Sequence, residues 1–234
     1  MRCLKCGGSG KPGGCPLCGT DSNKLNIKES KKESFITSCL FRSIPENYIG
    51  RIWSKQILID NHPERAKDIR FHEYCDKLER LQAKFQSGEL YSKAAFIQAP
   101  SKMSKSVFAY SCMQIALNNG FTVAPLIDTI ELKILLSICA SRPDYKLNKW
   151  ITYDNYITSD IVFVTVTKTD MYAEAYTQII ELLSRRSRLG LPTFIVSKFS
   201  TKEIASKCVD SDYEKLYDYA GNENDLKYPV IIEC

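Results

Sequence analysis

The chain has no apolar run long enough to cross a bilayer: the longest, such as Ile161 to Val166, falls far short of the roughly 20 residues that a spanning helix needs. It also lacks a signal-type apolar stretch at its start, where Arg2 and Cys3 stand instead, so a soluble protein of the cytoplasm is expected. Histidine is scarce. The two present, His62 and His72, have no metal-ligand constellation beside them and read as surface or packing residues. A strong charge of one sign is missing too: the net +5 is mixed along the chain, which permits nucleic-acid contact without demanding it. Disorder is excluded, because 234 residues with 44% hydrophobic content can build one buried α/β core and a small appendage.

Cysteine, by contrast, is plentiful. Six of the ten (Cys39, Cys75, Cys112, Cys139, Cys208, Cys234) are scattered singly, which suits a reducing compartment. The other four form Cys3-x-x-Cys6 and Cys15-x-x-Cys18, joined by eight residues rich in glycine and proline. Each pair can present two sulfurs to one ion, and the flexible connection lets all four reach a tetrahedron around Zn²⁺. A site filled by four thiolates has no open position, so this zinc ribbon is structural rather than catalytic. Arg2, Lys5 and Lys11 are placed to offset its negative charge. A redox dithiol pair is the alternative. Some twenty residues bury no useful core, so metal binding supplies the folding energy of residues 1–20.

Residues 21–34 are polar and rich in lysine, glutamate and serine, and read as a linker. Residues 35–92 then form an arm, broken by Pro45, and an amphipathic helix. The helix is expected from Pro63 to Gln86, with Ile69, Phe71, Tyr74, Leu78, Leu81 and Phe85 on its apolar face. From residue 93 to 234 strands and helices alternate. Strands are expected at Ala94 to Ala99, Phe121 to Ile127, Ile161 to Val166, Thr193 to Ser197 and Pro229 to Glu233. The intervening helices run from Lys105 to Asn118, Ile130 to Ala140 and Met171 to Arg188, with Gly120 and Gly190 at C-cap positions. The pattern is that of an α/β fold with a five-stranded, mostly parallel sheet covered by helices on both faces. Ligands gather beyond the carboxyl ends of such strands, where Lys105, Ser106, Lys168, Asp170, Lys198 and Ser200 should converge.

The stretch from Phe96 to Ala109 reads as strand, phosphate loop and helix, yet the loop has no glycine. A P-loop, G-x-x-x-x-G-K-[ST], uses glycines to close backbone N–H groups around phosphates, lysine to meet the β- and γ-phosphates, and a hydroxyl on Mg²⁺. Lys105 and Ser106 keep the side-chain roles. Ala99 and Ser104 occupy the glycine positions, and Lys102 and Met103 crowd the turn, so the freedom to take positive φ is expected to be missing. Lys105, Ser106, Ser104 and Lys102 are the nucleotide-binding candidates.

Taken in order, the cysteine cluster, Ser43-Ile-Pro-Glu-Asn-Tyr48, the strand with Lys105-Ser106, Gly120-Phe-Thr-Val, Ser159-Asp-Ile-Val-Phe-Val, Arg185-Arg186 and Leu191-Pro-Thr-Phe-Ile-Val-Ser197 resemble the AAA+ replicative helicase loaders of bacteria and their phages. The resemblance covers residues 35–205 in element order. It implies a P-loop NTPase sheet of the AAA+ / RecA-like kind in the order 5-1-4-3-2, ATP and Mg²⁺ as cofactors, and work on a replicative helicase and single-stranded DNA. For a phage-encoded chain the compartment would be the host cytoplasm. The family's Walker B strand ends in paired acids, where this sequence has Thr165 and Val166. Ser197-Lys198 stands at the sensor position, and no arginine follows Arg188 to act as a second sensor. Arg185, Arg186 and Arg188 would reach a neighbour's nucleotide or a DNA phosphate, or else complement a helix C-terminus.

No catalytic residue is assigned, because phosphoryl transfer rests on positioning and charge stabilisation, and glycines, acid pair and sensor are all altered. Any ATP turnover should be slow. Three functions remain at this level: a loader-type adaptor, which could self-associate as a homo-oligomer; an active ATPase or P-loop kinase with unusual ligands; and a zinc-ribbon nucleic-acid-binding protein whose P-loop scaffold is purely structural.

Overall fold

A computed structural model describes residues 43–89, 94–142, 144–147, 151–166, 173–200, 203 and 231–234. Cys3, Cys6, Cys15 and Cys18, the linker, Lys168 and Asp170 lie outside them. Among the described residues no helix is long and apolar enough to cross a membrane.

Five strands, β1 (Ala95–Gln98), β2 (Ile127–Asp128), β3 (Val162–Val166), β4 (Thr193–Ser197) and β5 (Ile231–Glu233), form one parallel sheet in the order 5-1-4-3-2. Strands buried on both faces must be apolar almost without interruption. In β3 and β4 every residue but Thr165 is buried. Phe163 pairs with Phe194 in register, and their rings stack with centroids 4.7 Å apart. Phe85 closes the cluster at 5.0 Å from Phe194 and 6.0 Å from Phe163.

The described helices are α1 (Lys55–Asp60), α2 (Ile69–Ser87), α3 (Lys105–Asn118), α4 (Thr129–Ile134), α5 (Tyr153–Thr158) and α6 (Ala173–Arg188). α2 brings Phe85, and packs against α3 and β5. It begins later than the apolar pattern suggests: Pro63–Arg65 is a separate 3₁₀ turn, and Asp68 caps the helix by accepting from the N–H groups of Arg70 and Phe71. Ile69, expected on the buried face, is therefore in the first turn and 74% exposed. Gly88 ends the helix at φ 72°, a left-handed position where a side chain would be strained.

Two other elements depart from the pattern. The strand expected from Phe121 to Ile127 shrinks to Ile127–Asp128 with a single bridge from Val123 to Ile161. Pro125 is the cause, since it has no N–H for the ladder and fixes its own φ. The helix expected from Ile130 to Ala140 starts at Thr129 under a capping box made by Asp128 and Glu131, then widens into a π turn over Leu135–Cys139.

The arm packs on the core through specific bonds. Ser43 Oγ donates to the Val123 carbonyl at 3.1 Å, and the Trp53 N–H donates to Ser111 Oγ at 3.1 Å. Gln114 is the main tie, accepting from the Gly50 N–H at 2.7 Å and donating to the carbonyls of Tyr48 and Arg51. Gln114→Ala should cost about 1–3 kcal/mol, because it leaves buried or half-buried backbone groups without partners. Urea unfolding measures that loss directly.

Candidate functional site

Parallel register brings three strand ends to one rim: Gln98 pairs with Ser197, and Ser197 with Val166. The loop after β1, the end of β3 and the turn after β4 therefore face one another. Between them lies a cleft of about 400 Å³, lined by Tyr48, residues 101–107, Thr165, Val166, Val196, Ser197 and Lys198. Lys102, Ser104, Lys105, Ser106, Ser197 and Lys198 meet here. Lys168 and Asp170 lie outside the described residues. Ser200 faces away in its bonding, since its N–H and hydroxyl both donate to the Glu203 carboxylate.

The loop corrects the expectation about φ. Without glycine it still takes the left-handed conformation at Lys102 (φ 72°) and Ser104 (φ 52°). Such positions cost on the order of 1–3 kcal/mol each and persist only where the surroundings enforce them. The arm enforces them here: His62 Nε2 lies 3.3 Å from the Lys102 carbonyl, and the Arg65 guanidinium reaches Met103 Sδ and Cys234 Sγ. Met103 itself is 3% exposed, plugged beneath the loop. A histidine that the sequence shows only as a lone residue thus props the loop after β1. Nothing in its local sequence marks that role.

Lys105 is folded onto its own loop. Its Nζ donates to the carbonyls of Ala99 and Pro100 at 2.5 and 2.6 Å. Burial, and then the nearby Lys198, push its pKa down to about 8, with Cys234 opposing them. An ordinary lysine titrates near 10.5. Between these values the unfolded chain binds the extra proton, so the Lys105 contribution to stability rises with pH from about 8 to 10.5. The penalty is complete below that window and gone above it. Unfolding midpoints of wild type minus Lys105→Met, followed from pH 7 to 11, should show this rise.

Ser106 is exposed near the start of α3, where the unpaired N–H groups of a helix favour an anion. Ser197, expected from the resemblance at a sensor position, is 3% exposed, and its Oγ accepts from the Phe199 N–H at 2.9 Å. Lys198 is exposed at the cleft's edge.

The three arginines separate. Arg186 is fully buried, which corrects its assignment to a neighbour or to DNA. Its guanidinium donates to Thr193 Oγ1 and to the carbonyls of Tyr156, Ile157, Ser159, Asp160 and Pro192. Burial lowers its pKa to about 10. It is a clamp joining the end of α6 to the entries of β3 and β4. Arg185 pairs with Glu181 and lies over the Tyr153 ring at 5.5 Å. Arg188 is exposed.

Chemically the cleft suits an anion. Its described lining has three lysines and four serines and no carboxylate. Thr165 and Val166 occupy the places where a Mg²⁺ ligand and a water-polarising acid would stand, so the described residues fit a phosphate group and do not fit a magnesium ion.

No protein-family model matches the chain, and no curated protein sequence does. Solved structures do. A candidate primosome component from Streptococcus pyogenes serotype M3 aligns with a TM-score of 0.50 at 12% identity, over 71% of this chain and 80% of that one. A structure of DnaI aligns at 0.45 and 16% identity, over 65% and 78%. The replication initiator DnaA bound to AMPPCP and single-stranded DNA aligns at 0.46 and 10% identity, over 71% and 45%. At such identities the likeness is one of fold. The parallel sheet in the order 5-1-4-3-2, with the loop after β1 and the cleft at the carboxyl rim, is the α/β fold shared with the Streptococcus pyogenes structure.

Proposed function

We propose that this chain is a DNA-replication accessory protein of the helicase-loader kind, which docks on a replicative helicase, on single-stranded DNA, or on both, and turns over ATP slowly or not at all. The observation that carries the reading is the cleft: it keeps the lysine and hydroxyl of a phosphate loop while Thr165 and Val166 replace the acids that split the ligand. The AAA+ fold, shared with a candidate primosome component, supports the replication setting. Lys102, Lys198 and Arg188 are exposed cations that a DNA backbone would meet, and Arg185, three residues before Arg188, is exposed as well. Self-association belongs to the same reading, as does action in the cytoplasm.

The N-terminal module is part of the proposal. Cys3, Cys6, Cys15 and Cys18 form a donor set that fits Zn²⁺, four thiolates and no open position, so the ion would hold residues 1–20 folded as a grip for a partner. Affinity capture with the cognate replicative helicase, together with filter binding of single-stranded DNA at low salt, tests the function. Capture of the helicase or retention of the strand supports it. Failure of both ends it.

A further inference from the structure

The described lining of the cleft offers several ways to neutralise a phosphate and no oxygen acid to hold a divalent cation. We infer that the cleft binds a di- or triphosphate chain without magnesium, and that magnesium weakens this binding rather than enabling it. The inference rests on the nucleotide-derived reading of the site given above, and names what such a site takes.

A diphosphate brings close to three negative charges, and Lys102, Lys105 and Lys198 bring three positive ones to a cleft of about 400 Å³. An ammonium has three N–H donors. Two of those on Lys105 are taken by the carbonyls of Ala99 and Pro100, which leaves one and fixes where the nitrogen sits. The presence of Lys198 already makes Lys105 easier to deprotonate, so the two cations repel, and an anion placed between them would relieve that repulsion.

Magnesium changes the sum. In an ordinary site one or two carboxylates share the ion with the phosphates, and the whole set is balanced. Here the ion would arrive with its positive charge among three lysines and find Thr165 and the Val166 side chain where those oxygens should be. A magnesium-complexed phosphate is therefore a poorer ligand than the free one. The chain's own lysines perform the neutralisation that the metal would supply.

Size and shape are consistent with a short phosphate chain. The loop's two left-handed residues, Lys102 and Ser104, flank the entry to α3, and Ser106 lies exposed one residue beyond Lys105. Successive backbone N–H groups in such a turn make a concave seat for phosphate oxygens.

The test is calorimetry on the full chain with inorganic pyrophosphate and with ADP, at matched ionic strength, with magnesium omitted and with magnesium in excess over ligand. No chelator is used, so a zinc ion at the N-terminus is undisturbed. Binding is expected without magnesium, with lower affinity when magnesium is added. Lys198→Met, an exposed change that leaves the core alone, should weaken pyrophosphate about tenfold, the size of one charge-assisted hydrogen bond, and Lys105→Met by at least as much. Displacement of pyrophosphate by a thymidylate oligonucleotide would still support metal-free phosphate capture and would assign its source to a strand's backbone. The inference is overturned by absence of binding at millimolar ligand, or by affinity that is unchanged or rises with magnesium. If Asp170→Asn removes such a rise, that residue is the metal ligand. Neither overturning result touches helicase capture, so this inference and the proposed function fail separately.

Discussion

Arg186→Met lowers the stability of the core domain by about 3–5 kcal/mol, the range seen when one side of a buried polar constellation is removed. The guanidinium is 0% exposed and meets six oxygens, five of them backbone carbonyls. Methionine fills some of the volume and satisfies none of those acceptors, each of which then bears a desolvation cost of about 1–3 kcal/mol unless water enters. The carbonyls of Ser159, Asp160 and Pro192 lie just ahead of β3 and β4, so the damage falls where two central strands begin. Lysine is no rescue, because a single ammonium cannot span acceptors on both sides of the arginine's planar fork. For a domain of this size the loss corresponds to a fall in melting temperature of roughly 10 °C or more. A change of a degree or two for Arg186→Met would show that the clamp is dispensable.

Thr165→Asp is expected to convert the cleft to magnesium dependence. Thr165 is half-buried on β3, lines the cleft beside Val166, and pairs in register with Asp128 on β2. A carboxylate there supplies the hard oxygen ligand that Mg²⁺ needs next to phosphate oxygens. Pyrophosphate affinity, unaided by magnesium in the wild type, should rise about tenfold or more with it in the variant, a gain of about 1.4 kcal/mol or more. Asp128 does not share that task, because its carboxylate accepts from the Glu131 N–H as the cap of α4. Isothermal titration of Thr165→Asp with and without magnesium reads the effect, and an unchanged profile would mean that this strand position is not the missing ligand.

How legible was all this in the sequence? Elements with a strong, unbroken pattern could be read: β3 and β4 are continuous apolar runs, and α2 repeats its buried residues from Phe71 to Phe85 at helical spacing. Patterns interrupted by backbone chemistry were misjudged, as at Pro125, which stops the predicted strand, and at Leu135–Cys139, where a π turn keeps an apolar period that resembles an α-helix. The lining of the cleft was legible where it follows directly from a strand end: Lys105 and Ser106 come shortly after β1, and Thr165 and Val166 end β3. It was not legible where the cause lies far along the chain. His62 props a loop forty residues away, and Arg186 is buried by carbonyls contributed from residues 156–160 and 192. An arginine at the end of an amphipathic helix ordinarily faces water, and only the strand entries folded around this one give it enough acceptors to be buried. The loop's positive φ values belong to the same class, since tertiary contacts impose on Lys102 and Ser104 what glycine would have adopted freely.

Central to the proposed function is a phosphate cleft that survives without the groups that cleave its ligand. Release of inorganic phosphate from ATP in the presence of magnesium, by the full chain with and without single-stranded DNA, tests it most directly. The expected result is release no faster than that of Lys105→Met. Turnover of about one per second or more, within the ordinary range for enzymes, that requires magnesium and is lost in Lys105→Met would contradict it.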